Sequence, residues 1–229
     1  MAWIDKIANI VITKKTKTTS QKTFGIPAVL ATFAADLPNT AFAAHSRSYG
    51  DQDEVDADWL DETTGAVLNA SIYEALSGFF AQDPHPQAVI LGRKETALIT
   101  WAAAINTFEA EDSTWWALTA ILDGATLTDQ AIEIEAIATA IEAERKFFME
   151  ATTDPNLQVA GTTNIAATLK ALKFKRTATF FHADASENIA MRVLSRVLYY
   201  DPGKATWAYK TAVGVTPDVF SLDAKAQAV

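Results

Sequence analysis

Short apolar runs alternate with segments of helical period along most of this chain, and that alternation is what most restricts its fold. Ile26 to Phe33 (IPAVLATF) is apolar and short enough for a buried strand. Thr64 to Gln82 follows as a helix, with Leu68, Ile72, Leu76 and Phe79 at helical spacing, until Pro84 and Pro86 stop it. Ala88 to Gly92 is then a strand, Glu95 to Phe108 a helix and Thr114 to Leu122 a strand. Asp129 to Arg145 is the clearest helix, with Ile134, Ile137, Ala138 and Ile141 on one face and glutamates opposite. Lys146 to Glu150 and Thr177 to His182 read as strands, and Asn164 to Leu172 and Ser186 to Leu198 as helices. Thr206 to Lys210 reads as a last, more polar strand, and Ser221 to Val229 could begin another helix. Strands alternating with helices build βαβ units, and strands covered on both faces read as continuous apolar runs. The expected fold class is therefore α/β, a mainly parallel or mixed sheet flanked by helices.

The ends of the chain differ in character from this body. Asn9 to Thr13 reads as a short strand, and Lys14 to Thr23 (KKTKTTSQKT) is polar and rich in β-branched threonine. Residues 1–23 are thus expected to form an extended N-terminal arm, and 24–229 the α/β body. Residues 34–61 hold few apolar anchors and are expected to be a long acidic surface loop. Net charge is −9, unevenly placed: residues 1–25 carry +4, the remainder −13, and Asp51 to Glu62 alone holds seven acids and no base. So acidic a body argues against nucleic acid as a partner. No apolar stretch approaches the roughly 20 residues needed to span a bilayer, so membrane insertion is not expected. The start lacks the pattern of a signal peptide, which points to a cytoplasmic chain. With no cysteine, there is neither a disulfide nor a thiolate site.

The search for chemistry yields little. The sequence contains no G-x-G-x-x-G, no G-x-x-x-x-G-K-[ST] and no G-x-S-x-G, and its nine glycines do not cluster into a phosphate-cradling loop. His182 and Asp184 stand just past a predicted strand, with Asn188 on the next helix, where α/β active sites lie. No nucleophile or second base accompanies them, so Asp184 or Ser186 reads better as a helix cap and His182 as a strand end. His45 and His85 lack partners at metal-ligand spacing. In DQDEVDADWLDE, Asp51 and Asp53 fit the first positions of a calcium loop and Glu62 the last. Val55 fails where a ligand is needed, and Asp56 stands where glycine is required. No catalytic residue, cofactor site or metal site is expected. Trp115, Trp116 and Trp207 fall in predicted strands and read mostly as core, whereas Trp59, in the acidic loop, would anchor it or meet a partner.

The arm makes better sense as an interacting strand. Lysines discourage uncontrolled edge pairing while threonines keep β propensity. Lys14, Lys15, Lys17 and Lys22 would be drawn to Asp51, Asp53, Glu54, Asp56, Asp58 and Trp59 of a neighbouring copy. The arm would add itself to that copy's sheet. A basic patch meeting an acidic one elsewhere on the same chain is a heterologous contact, which propagates into rings or helices.

Several segments, in order, resemble the tail sheath proteins of contractile, myovirus-type phages. They are FGIPAVLATF (24–33), SRSYGDQDEV (46–55), FFAQDPHPQAVILGR (79–93), WWALTAI (115–121) and FFMEATTDPN (147–156). The most specific are ALKFKRTATFFHAD (171–184) and DPGKATWAYKTAVGVTPD (201–218). The resemblance implies a structural subunit, not an enzyme. It would stack on copies of itself as rings or a helix around a tail tube protein, bounded by baseplate and tail terminator. Contraction would drive the tube through the host envelope. It also implies a place in the virion tail, with assembly in the host cytoplasm. Sheath proteins of this type continue past the region like GVTPD, so the body at 24–229 is expected to lack the family's C-terminal part. Two alternatives stay open: an α/β enzyme or nucleotide-binding domain carried by His182 and Asp184, and another virion assembly module such as a baseplate component. From the misplaced Val55 and Asp56, calorimetry with calcium at physiological ionic strength is expected to show no saturable site tighter than about 10⁻⁴ M. A micromolar site would refute that.

Overall fold

The computed structural model describes residues 25–96, 99–144, 146–159, 163–200, 204 and 211–218. Within them lie strands β1 (Ile26–Thr32), β2 (Ser46–Tyr49), β3 (Val89–Lys94), β4 (Trp115–Ala120), β5 (Phe147–Thr152) and β6 (Thr177–Phe181). The helices are α1 (Gln52–Trp59), α2 (Ala70–Phe80), α3 (Trp101–Glu111), α4 (Leu127–Glu144), α5 (Ile165–Ala171) and α6 (Ile189–Leu198). The six strands form one mixed sheet in the order β2-β3-β1-β4-β5-β6. All neighbours run parallel except β2, which is antiparallel to β3 at the edge.

Strand alternation explains the apolar runs. On β1, Ala28 and Leu30 face one core while Val29 and Ala31 face another. The first core packs α3, α4 and α5 through Trp101, Ile105, Phe108, Ile137, Ile141 and Leu169. The second packs α1 and α2 through Val55, Trp59, Ile72, Leu76 and Phe79, with Met191 from α6. α6 closes the same side over β4 and β5, where Leu194 meets Ala117 and Met149. Gly92 on β3 is required by close approach: a Cβ there would lie 2.8 Å from Leu30 Cδ1 and 3.2 Å from the Phe108 ring.

The chain steps from β1 to β3 on one side, then returns past β1 to β4, β5 and β6 on the other. Opposite directions of travel with right-handed crossovers put helices on opposite faces. The order therefore reverses between β1 and β4, and their carboxyl ends are where open α/β sheets bind ligands.

The expected loop at 34–61 is corrected: it contains β2 and α1. Asp51 caps α1, accepting from Glu54 N at 2.9 Å, while the Glu54 carboxylate accepts from Gly50 N at 2.6 Å. This reciprocal pairing resembles a capping box. Trp59 is fully buried, with Phe33 edge-on at 5.3 Å, and its Nε1 donates to Tyr49 OH at 2.9 Å. Tyr49 OH in turn donates to Asp58 at 2.9 Å, and Arg47 pairs with the same carboxylate. In this fold Asp58 and Trp59 are buried, Trp59 completely, so Trp59 anchors the segment from within. Smaller differences are that α2 starts at Ala70 behind an Asn69 cap and α3 at Trp101 behind a Thr100 cap. Trp115 is core, but Trp116 is half exposed. The arm, the strands expected at 9–13 and 206–210, Trp207 and residues 221–229 lie outside the described residues.

Trp59→Ala is expected to cost about 3–5 kcal/mol, the range for emptying a buried aromatic site, measured by urea denaturation. A cost below about 0.5 kcal/mol, ordinary for a surface position, would contradict this packing.

Candidate functional site

At the β1–β4 switch point, side chains bridge the crevice. Thr32 at the end of β1 donates its hydroxyl to Asp123, just past β4, at 3.0 Å. Lys94 at the end of β3 donates to the same Asp123 oxygen at 2.7 Å and to Thr96 O at 2.8 Å. Its ammonium also lies 4.9 Å from the centre of the Trp101 ring. The Lys94 side chain is almost fully buried. A ligand seated there would have to displace a desolvated ion pair, and leaving one partner unpaired is expensive.

An open cavity lies further along the sheet, over the carboxyl ends of β4, β5 and β6. Its volume is about 170 Å³, and its lining includes Gln130, Glu150, Thr152, His182, Asp184 and Ser186. Glu150 enters from β5. One of its oxygens accepts from Ala120 N at 2.9 Å and from the Thr119 hydroxyl at 3.1 Å, and the other from Ala151 N at 3.2 Å. Burial pushes the Glu150 carboxyl up to about 8, against the pull of those donors. It is therefore largely protonated near pH 7.

His182 stands beside it, with both ring nitrogens held by acids: Nδ1 lies 2.9 Å from Asp218 and Nε2 2.8 Å from Glu187. Burial works against the charged ring, but hydrogen bonds and charge from Asp218 and Glu187 outweigh it and raise the pKa. Glu187 is held down at about 2 by the Thr216 hydroxyl and N–H and by His182. The histidine thus fastens residues 216–218 to the body, as does Ala183 N donating to Asp218 at 2.9 Å. With both nitrogens so used, it has none left to receive a proton from a nucleophile. Asp184 accepts from Ser186 N at 2.8 Å and from its hydroxyl at 2.6 Å, capping the short turn Ala185–Glu187. Asn188, at φ 41°, caps α6.

His45 repeats the arrangement, with Nδ1 2.9 Å from Glu111 and Nε2 2.9 Å from Glu95. The bond to Glu111 raises its pKa, burial opposes, and Glu95 adds to the rise. His85 packs against Phe79 and Phe80. Among the described residues, no three or more His, Asp or Glu side chains are grouped to hold a metal ion. None of the helices there is long and apolar enough to cross a membrane.

Of the expected contact residues, Asp51, Asp53 and Glu54 are exposed on and beside α1. Asp56 is half-buried, accepting from Gln52 at 2.6 Å and Tyr73 at 3.0 Å. Lys14, Lys15, Lys17 and Lys22 lie outside the described residues. Glu150 was not singled out by sequence reasoning; two of its three donors, Thr119 and Ala120, stand on β4, and only the strand pairing brings them to it.

The folded chain retains a Glu150 proton that the unfolded chain releases near its ordinary value of 4.5. Glu150 thus subtracts stability as pH rises from that value to about 8, by roughly 1.4 kcal/mol per unit, and its effect is level above. Glu150→Gln should match wild type near pH 5 and exceed it by a few kcal/mol at pH 9, measured by urea denaturation across pH. Parallel curves for the two proteins would contradict the buried neutral acid.

Searches against family models, curated proteins and solved structures found no match to this chain.

Proposed function

We propose that this chain is a structural subunit of a contractile tail sheath, polymerising around a tail tube and contracting to drive it into the host. The observation that carries this reading is the division of charge. Residues 1–25 carry +4, while Asp51, Asp53 and Glu54 stand exposed on the α/β body. A neighbour's arm would find there the charge opposite to its own, and backbone pairing along a sheet edge would supply the attachment. The bridged switch point agrees with a body that is not organised around a nucleotide. The segment order that resembles sheath proteins separates this reading from a baseplate or other assembly module. On this reading the partners are further copies of the chain, the tube, the baseplate and the tail terminator, in the virion tail.

A second reading, an α/β enzyme, draws on the Glu150 acid at the mouth of three strands. It needs a reacting partner for that acid, and the neighbouring histidine is committed to Asp218 and Glu187.

Deleting residues 1–23 is expected to leave a folded body, because the described residues from 25 onward build the sheet and three hydrophobic clusters among themselves, and to abolish ordered polymers. Replacing Lys14, Lys15 and Lys17 by glutamate should slow assembly, more so at low salt, where charges act over roughly 30 Å. Light scattering and electron microscopy of wild type and variants read both effects. If the shortened protein forms the same tubes or rings at the same concentration, the arm reading is wrong.

A further inference from the structure

The cavity beside Glu150 is not absorbed by an assembly role. It is open to solvent, and at about 170 Å³ it has room for about six waters at their ~30 Å³ share of liquid volume. Its wall is divided about evenly. Ala120, Ile121, Ala151, Ile189 and Ala190 supply apolar surface, and Ser71, Gln130, Thr152 and Asn188 supply polar surface beside the Glu150 carboxyl group. The lining contains two acids, Glu150 and Asp184, and no lysine or arginine. Its one histidine, His182 at the end of β6, is already neutralised by Glu187 and Asp218. From α4 only the uncharged Gln130 reaches the cavity, and from α6 only Ile189 and Ala190.

Glu150 is the group that such a space lacks an answer for. Every hydrogen bond it makes is accepted from an uncharged donor, so an ionised carboxylate there has no counterion. A buried charge without a partner either takes a proton or takes a cation. An incoming cation with an apolar stem fits the apolar part of the wall, the alanines and isoleucines.

We propose that this cavity binds a single alkylammonium group, its nitrogen on the Glu150 carboxylate and its carbon stem against the alanines and isoleucines. The inference goes beyond the sheath reading and does not depend on it. The group can be a free small amine or a lysine side chain from a neighbouring copy. Binding displaces the Glu150 proton: the carboxyl O–H breaks, the proton leaves to solvent, and the carboxylate pairs with the ammonium. Below the pH at which Glu150 ionises, affinity must therefore fall tenfold per unit.

The test titrates n-butylammonium into the full chain by calorimetry between pH 6 and 9, in two buffers of different ionisation enthalpy. The expected result is one site, with proton release at pH 7, tightening to a plateau above about pH 8. n-Butanol, the neutral isostere, should bind at least tenfold more weakly, and Glu150→Gln should lose at least tenfold in affinity for the amine. Absence of binding at pH 9, equal affinity for amine and alcohol, or a pH-independent constant would overturn the proposal. The last two comparisons use wild type alone and hold even if the variant does not fold. A peptide of residues 1–23 separates the sources. Competition with butylammonium that is lost when its lysines are changed to glutamine assigns the site to a neighbour's arm. Binding of the amine without such competition assigns it to a free ligand.

Discussion

The central position of β1 holds this fold together. Its backbone is parallel-paired to β3 on one side and β4 on the other, and every side chain from Ala28 to Ala31 is buried. Neighbouring residues feed opposite cores, so one strand of small and branched residues organises both helical layers. A residue too large at either face would push a helix away. Gly92, pressed against Leu30 and Phe108, is the same constraint expressed on the adjacent strand. Because β1 precedes all its partners in the chain, its ladders form only after long loops close, the usual cost of non-local parallel pairing.

Polar groups then decide what the apolar layers leave open. Lys94 and Asp123 neutralise each other across the switch point, and His45 and His182 each draw two carboxylates. These contacts tie separate stretches: β2 to the end of β3 and to α3, and residues 216–218 to the end of β6. Glu150 is the exception, supplied with donors but with no cation. Among the described residues the two buried acids are thus of two kinds. Asp58 is met by Arg47, whereas Glu150 has only uncharged donors.

Much of the architecture was legible in the sequence because β1 and β3 are buried on both faces, β4 nearly so, and their apolar runs stand out. The helix at Leu127–Glu144 carries its period in isoleucine and alanine, and it was found with its ends nearly in place. α1 was missed because its apolar content is small and its stability comes from polar contacts. Asp58 looks like one more surface acid until Arg47 and Tyr49 are placed against it. A local signal was present in Asp51 and Glu54, spaced as a cap and its reciprocal partner, but it was read as a failed calcium loop. Glu150 left no local signal at all. Its environment is made by Thr119 and Ala120, about thirty residues earlier, and only strand pairing brings those donors within reach.

The strand order also gives the two ends of the body unequal mechanical standing. Tension applied where residue 25 enters β1 runs along a strand clamped by ladders on both flanks. It loads those hydrogen bonds in shear, all at once. Tension applied at Asp218 reaches the body near the opposite margin, first through contacts centred on His182 and Glu187 and then through Val213, held by Gln82 and Arg192. There the bonds would be loaded one after another, as in peeling a tape. A body of this topology is a rigid handle at β1 and a releasable catch at residues 213–218.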